Sequence, residues 1–113
     1  VGDSYNEISP EGGSITVNDS KVDEDAAAKS KHRVVVKINH KTEEKGAYPI
    51  VLVSYDIVCG AYKDAATARF AKSWLSYVTS KDGQAAAQGA AGTAPLPEKL
   101  MGRINKSIQS IGK

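Results

Sequence analysis

The stretch Ala47-Tyr48-Pro49-Ile50-Val51-Leu52-Val53-Ser54-Tyr55-Asp56-Ile57-Val58-Cys59 is the strongest element in the chain. β-Branched and aromatic side chains dominate it, and these suit a pleated backbone. Only Ser54 and Asp56 break the apolar run, so the pattern predicts a strand covered on both faces for much of its length. Pro49 has no N–H to give a ladder and belongs at the strand's start or on an edge. Asp56 fits an outward position where the strand leaves the sheet, because a buried carboxylate needs dedicated hydrogen bonds.

Downstream, Asp64 is placed to cap a helix running to about Thr79, its carboxylate accepting free backbone N–H groups. Phe70, Trp74 and Val78 repeat at helical spacing with Ala66, Ala71 and Tyr77 beside them, which predicts a core-facing stripe. Lys63, Arg69 and Lys72 fall elsewhere on the wheel. Lys81-Asp82-Gly83 reads as a break. Residues 84–91 are Ala-rich and suit a short helix, weakened by Gly89 and Gly92. Pro95-Leu96-Pro97 is extended, with Pro97 suited to a first helical position. A final helix over about 98–111 carries Leu100, Ile104 and Ile108 on one stripe, joined by Met101 and Ile111, and stops at Gly112.

Upstream the signals are weaker. Val34-Val35-Val36-Lys37-Ile38 suits a strand, and a polar loop, Asn39 to Gly46, separates it from the central run. Asp23 can cap a short helical turn through Ala26, Ala27 and Ala28. Ser4 to Ile8 alternates as a brief strand, Pro10 and Gly12-Gly13 then read as a turn, and Ser14 to Val17 as a second strand.

Composition narrows the function classes. Aromatic residues are 6% of the 113, and Ala and Val supply much of the apolar volume, which favours thin α/β layers. A net charge of +2 is too small for a nucleic-acid footprint. Lys29, Lys31, Arg33 and Lys37 form a solvated edge, with Asp23, Glu24 and Asp25 just upstream. The run Ile50–Val53 is far short of the ~20 residues a membrane span requires. The chain opens on Val1, which processing or excision from a longer chain would explain.

No catalytic constellation is legible. There is no Gly-x-Ser-x-Gly elbow and no Walker A pattern, and His32 and His40 are too far apart for a helical metal pair. Glu43 and Glu44 are neighbours in a polar loop and poor candidates for separate acid and base roles. Gly12-Gly13-Ser14 could cradle an anion at a helix start, yet it reads as preceding a strand. Cys59 leaves three readings open: a buried small hydrophobe, a bridge to a segment elsewhere, or a reactive thiol, for which no activating His or Asp is placed. No cofactor, metal or enzymatic activity is expected.

Tyr5-Asn6-Glu7-Ile8-Ser9 and Ala47 through Cys59 together resemble the phosphate-binding proteins of actinobacterial high-affinity ABC transporters. The likeness extends through Lys63-Asp64-Ala65-Ala66-Thr67-Ala68, the helix with Phe70, Trp74, Leu75 and Tyr77, then Asp82-Gly83-Gln84 and Ala94-Pro95-Leu96-Pro97. It implies an α/β fold that is part of a two-lobed periplasmic-binding-protein-like architecture, with strands followed by two C-terminal helices. Residues 1–46 would end the second lobe and connect it. Residues 47–113 would be the crossing strand and C-terminal helices of the first lobe.

The resemblance also implies an extracellular receptor, lipid-anchored through an upstream N-terminus, that hands inorganic phosphate to membrane permease subunits. A desolvated phosphate needs helix N-termini, hydroxyls, an Arg and an acidic acceptor. In this family those groups lie upstream of the matched residues, so no phosphate-binding residue is assigned to this chain. An oxidising exterior would suit a bridge from Cys59 to an upstream Cys. An incomplete lobe would leave sheet edges open and favour self-association. The alternative reading is a non-transport surface interaction module, or a truncated paralogue, that keeps the lobe for packing.

Overall fold

The computed structural model describes residues 1–112. Its elements run α1 (Pro10–Asn18), β1 (Lys21–Val22), α2 (Glu24–Lys29), β2 (Val36–Lys37), α3 (Ala65–Val78), α4 (Lys81–Ala91) and α5 (Glu98–Gln109). The only ladder among the described residues is β1 against β2, antiparallel, with Lys21 opposite Lys37 and Val22 opposite Val36. Helices and a small sheet coexist, at the coarse level the sequence predicts; three helices follow the central run, the Ala-rich one among them, where the resemblance implied two.

The first correction lies at the start. Residues 4–8 form no strand, and residues 14–17 are helical, inside α1. Ser9-Pro10 is the cause: the Ser9 hydroxyl accepts the Gly12 N–H at 3.0 Å, and Pro10 opens the helix with its φ already set. The two glycines make room for a neighbour instead of a turn. A Cβ at Gly12 would lie 3.0 Å from the Gly46 carbonyl and 3.1 Å from the Tyr48 Cβ, so residues 46–48 lie directly on this helix. Thr16, wholly buried, donates its hydroxyl to the Tyr48 carbonyl at 2.8 Å, while Tyr48 donates its N–H to the Gly12 carbonyl.

The second correction concerns the central run. Residues 49–59 form no ladder, and Ile50, Leu52 and Ile57 are 78%, 83% and 95% exposed. Local sequence encodes readiness to be a strand, and pairing requires a partner that no described element supplies. From 50 to 53 exposure alternates, with Val51 and Val53 leaning inward, as a strand's two faces would.

Asp23 and Asp64 both cap as expected. The Asp23 carboxylate accepts the N–H groups of Asp25 and Ala26, and that of Asp64 accepts those of Ala66 and Thr67. The face of α3 that turns inward is a third correction. Leu75 is buried, whereas Phe70, Trp74 and Tyr77 are 71%, 55% and 52% exposed. The core is Leu75 with Ile108 and Ile111, and Tyr62 and Ile104 pack against it. The stripe expected on α5 is therefore the one that closes the core.

The predicted break at Lys81–Gly83 is the first turn of α4, capped by Ser80. A Cβ at Gly83 would lie 2.0 Å from the Tyr77 carbonyl oxygen, so this glycine lets α4 fold tightly back on the end of α3. Gly92, at φ +66°, ends α4 in the left-handed conformation. Pro97 stands one position earlier than predicted, as the residue preceding α5.

The molecule is thin and open. Its extents are 53 × 33 × 17 Å and its radius of gyration is 15.5 Å, against roughly 13 Å for a compact chain of this length. It exposes 8091 Å², where a compact monomer of this mass exposes roughly 6,000 Å².

Candidate functional site

A phosphate site is built from unclaimed N–H donors, hydroxyls and cationic side chains converging on one point. Four of the five helix starts among the described residues are already occupied. Ser9, Asp23, Asp64 and Ser80 each fold back on their own N–H groups. At α2 and α3 the cap is itself a carboxylate, which would repel an anion. The Asp64 carboxyl is held below the ordinary Asp range by the Thr67 hydroxyl, then by the N–H groups of Thr67 and Ala66. It is therefore ionised at neutral pH. Only α5 starts without a side-chain cap.

That start borders a groove of about 440 Å³, lined by residues of α1, the 39–47 loop and the start of α5. Asp19, Glu44 and Glu98 line it, and no Lys or Arg does. Lys99 is turned to the Ser20 carbonyl at 2.9 Å, and Asn39 holds Asp19 through its side-chain amide at 2.8 Å. The sign of charge is wrong for phosphate. A phosphate dianion would meet carboxylates with no cation to offset them.

The other residues singled out by sequence do not converge. The His40 ring nitrogen Nδ1 lies 2.8 Å from the Pro49 carbonyl, and since a carbonyl only accepts, Nδ1 carries the proton. The His32 carbonyl accepts the Ser107 hydroxyl. Among the described residues no three His, Cys, Asp or Glu side chains are grouped to hold a metal ion. Cys59 is exposed, so its burial is not met within this chain, and its N–H donates to the Tyr62 hydroxyl at 3.1 Å. Glu43 is exposed and Glu44 borders the groove.

What the fold does present is apolar surface. One part is the edge of residues 50–58, and another is the outer face of α3 with Phe70, Trp74 and Tyr77. The sequence flagged these residues as the ones that need covering. It could not reveal that the chain's own elements leave them uncovered. Sequence reasoning also missed the ties that hold the N-terminal half to the segment 95–107. Arg103 grips Glu24 with both guanidinium nitrogens, at 2.7 and 3.2 Å, and the Ser14 hydroxyl donates to the Pro95 carbonyl at 3.0 Å. An Arg and a Glu far apart in the chain carry no local signal of such a pair. Among the described residues no helix is long and apolar enough to cross a membrane.

In sequence, the chain is similar to phosphate-binding proteins of mycobacteria. It is 33% identical over 72 residues to the phosphate-binding protein PstS 3 of Mycobacterium leprae, covering 64% of this chain and 19% of that protein. PstS 3 and PstS 2 of Mycobacterium tuberculosis are 32% and 28% identical over the same length and shares. The match thus spans about a fifth of the length of these relatives. No family model matches the chain, and no solved structure matches it. The expected kinship with phosphate-binding proteins is met at this level.

Proposed function

We propose that this chain is a segment of an extracellular phosphate receptor of an ABC transporter, and that it supplies packing elements of the receptor rather than phosphate ligands. The observation that carries this reading is the similarity to proteins named for phosphate binding. The acid-lined groove and the self-capped helix starts support its second half. In the complete receptor, residues 47–113 are the crossing strand and C-terminal helices of the first lobe, and residues 1–46 end the second lobe. Strands and side chains from elsewhere in the receptor would cover residues 50–58 and the aromatic face of α3. Burial at those positions is the ordinary fate of such residues.

On this reading the receptor stands outside the membrane on a lipid anchor and passes phosphate to permease subunits. It binds and releases without catalysis. The exposed Cys59 is then free to bridge to a Cys elsewhere in the receptor, in an oxidising compartment. A second reading, a surface interaction module without transport, draws on the same outward aromatic face. The neighbouring genes separate the two. Permease and ATPase genes beside this one are expected, and their absence would favour the interaction module.

A further inference from the structure

Residues 50–58 make no main-chain-to-main-chain hydrogen bond among the described residues, and they divide the chain into two packed units. Before them, α1 holds residues 46–48 through the Gly12 carbonyl and the Thr16 hydroxyl, which bind Tyr48 at its N–H and its carbonyl. The Asn39 N–H donates to the Ser20 hydroxyl, and its side-chain amide donates to Asp19, so the β1–β2 ladder belongs to the same unit. After them, Tyr62, Leu75, Ile104, Ile108 and Ile111 close a core of their own. The Gly112 N–H donates to the Gly60 carbonyl and joins the two ends of that second unit.

Helix α5 serves both units. Ile104 and Ile108 turn toward Leu75 in the core. One position round the helix, Lys99, Arg103 and Ser107 repeat at i, i+4 and i+8, which places them on a single face. All three reach the first unit. Lys99 donates to the Ser20 carbonyl at 2.9 Å, Arg103 grips the Glu24 carboxylate, and the Ser107 hydroxyl donates to the His32 carbonyl. Their partners follow in the same order along the chain, so the contact is one continuous seam. Every one of these bonds is polar.

We infer that the Lys99–Arg103–Ser107 face of α5 is a reversible clasp, from which the first unit swings away about residues 50–58 while the core of the second stays folded. The side chains of Arg103 and Glu24 are 48% and 66% exposed, so water replaces their bond at little cost. The Leu75 core lies wholly within the second unit and is not opened by the separation. Along the connecting run, the Tyr55 hydroxyl at Val36 is the one hydrogen-bonded link back to the first unit. An ion pair this exposed is screened by salt, which makes ionic strength the control on the clasp. The inference stands on contacts within this chain and does not rest on the receptor reading, which phosphate and gene-order experiments test separately.

Electron–electron double resonance between spin labels at Ala28→Cys and Asn105→Cys, in a Cys59→Ser background, reads the clasp directly. Both labelled positions are exposed and take no part in the seam. One short distance is expected at low salt, joined by a second, longer population at about 1 M salt, where the screening length is about 3 Å. Arg103→Glu should shift the closed-to-open ratio about fivefold or more toward open at low salt, and adding Glu24→Arg should restore it. Helical circular dichroism should stay the same throughout, because neither residue enters the core. A short distance that neither salt nor Arg103→Glu alters would overturn the inference. So would a parent already open at low salt, helicity lost in step with the longer distance, or a double variant as open as the single one.

Discussion

The Tyr55 hydroxyl sits at the backbone of Val36, 3.0 Å from its N–H and 3.4 Å from its carbonyl oxygen. Among the described residues this is the one hydrogen-bonded link from residues 50–58 to the rest of the chain. It touches the edge of β2 with a side chain where a ladder would use the main chain. Tyr55→Phe should therefore speed amide exchange at Val36 and cost about 1 kcal/mol or less in urea unfolding, as for a single half-exposed hydrogen bond. Unchanged exchange at Val36 would show that the contact does not tether the segment.

The two faces of α3 give opposite predictions. Leu75→Ala should destabilise the chain by about 2 kcal/mol or more, because it opens a cavity against Ile108 and Ile111. Phe70→Ala should change stability by about 0.5 kcal/mol or less, since the ring is exposed. Chemical denaturation of the two variants checks the pair. Had the aromatic stripe been the core, the order would reverse.

Two glycines of α4 should behave differently on becoming alanine. At Gly83 the new methyl would meet the Tyr77 main chain, which cannot yield without parting α3 from α4, and a loss of about 1–3 kcal/mol is expected. Gly89 has open space around it, so Gly89→Ala should stabilise the helix by about 0.5–1 kcal/mol. Thermal melts of the two variants should move in opposite directions.

Asp64 predicts a pH dependence. Its folded-state pKa is lowered, chiefly by the Thr67 hydroxyl, so the ionised carboxylate favours the folded state. That contribution is present above the unfolded value of about 3.9 and is lost as pH falls through the lower folded value. Asp64→Asn keeps a capping oxygen but does not titrate. The variant's α3 helicity should therefore fall less than the parent's on acidification through this window, followed by circular dichroism.

The elements with local chemistry were legible in sequence, and those defined by a distant partner were not. Asp23 and Asp64 announced their helices because a cap acts within a few residues. The α5 stripe of Leu100, Ile104 and Ile108 did so because its period is that of the helix it forms. Ser9-Pro10 carries an equally local signal, but Gly12-Gly13 reads as a turn, whereas Gly12 makes space for residues 46–48 and Gly13 for Ala94 and Val51. For Ile50, Leu52, Phe70 and Trp74 the sequence records a preference for burial, and exposure records that nothing among the described residues supplies it. That this chain holds no phosphate ligands is an expectation, from the resemblance and from the lack of a motif. The groove beside α5 adds an observation of charge: Asp19, Glu44 and Glu98 line it.

Calorimetric titration of inorganic phosphate into the chain tests the central claim most directly. The account predicts no saturable heat, because the helix starts are mostly self-capped and the groove is acidic. Saturable binding at micromolar phosphate would contradict it.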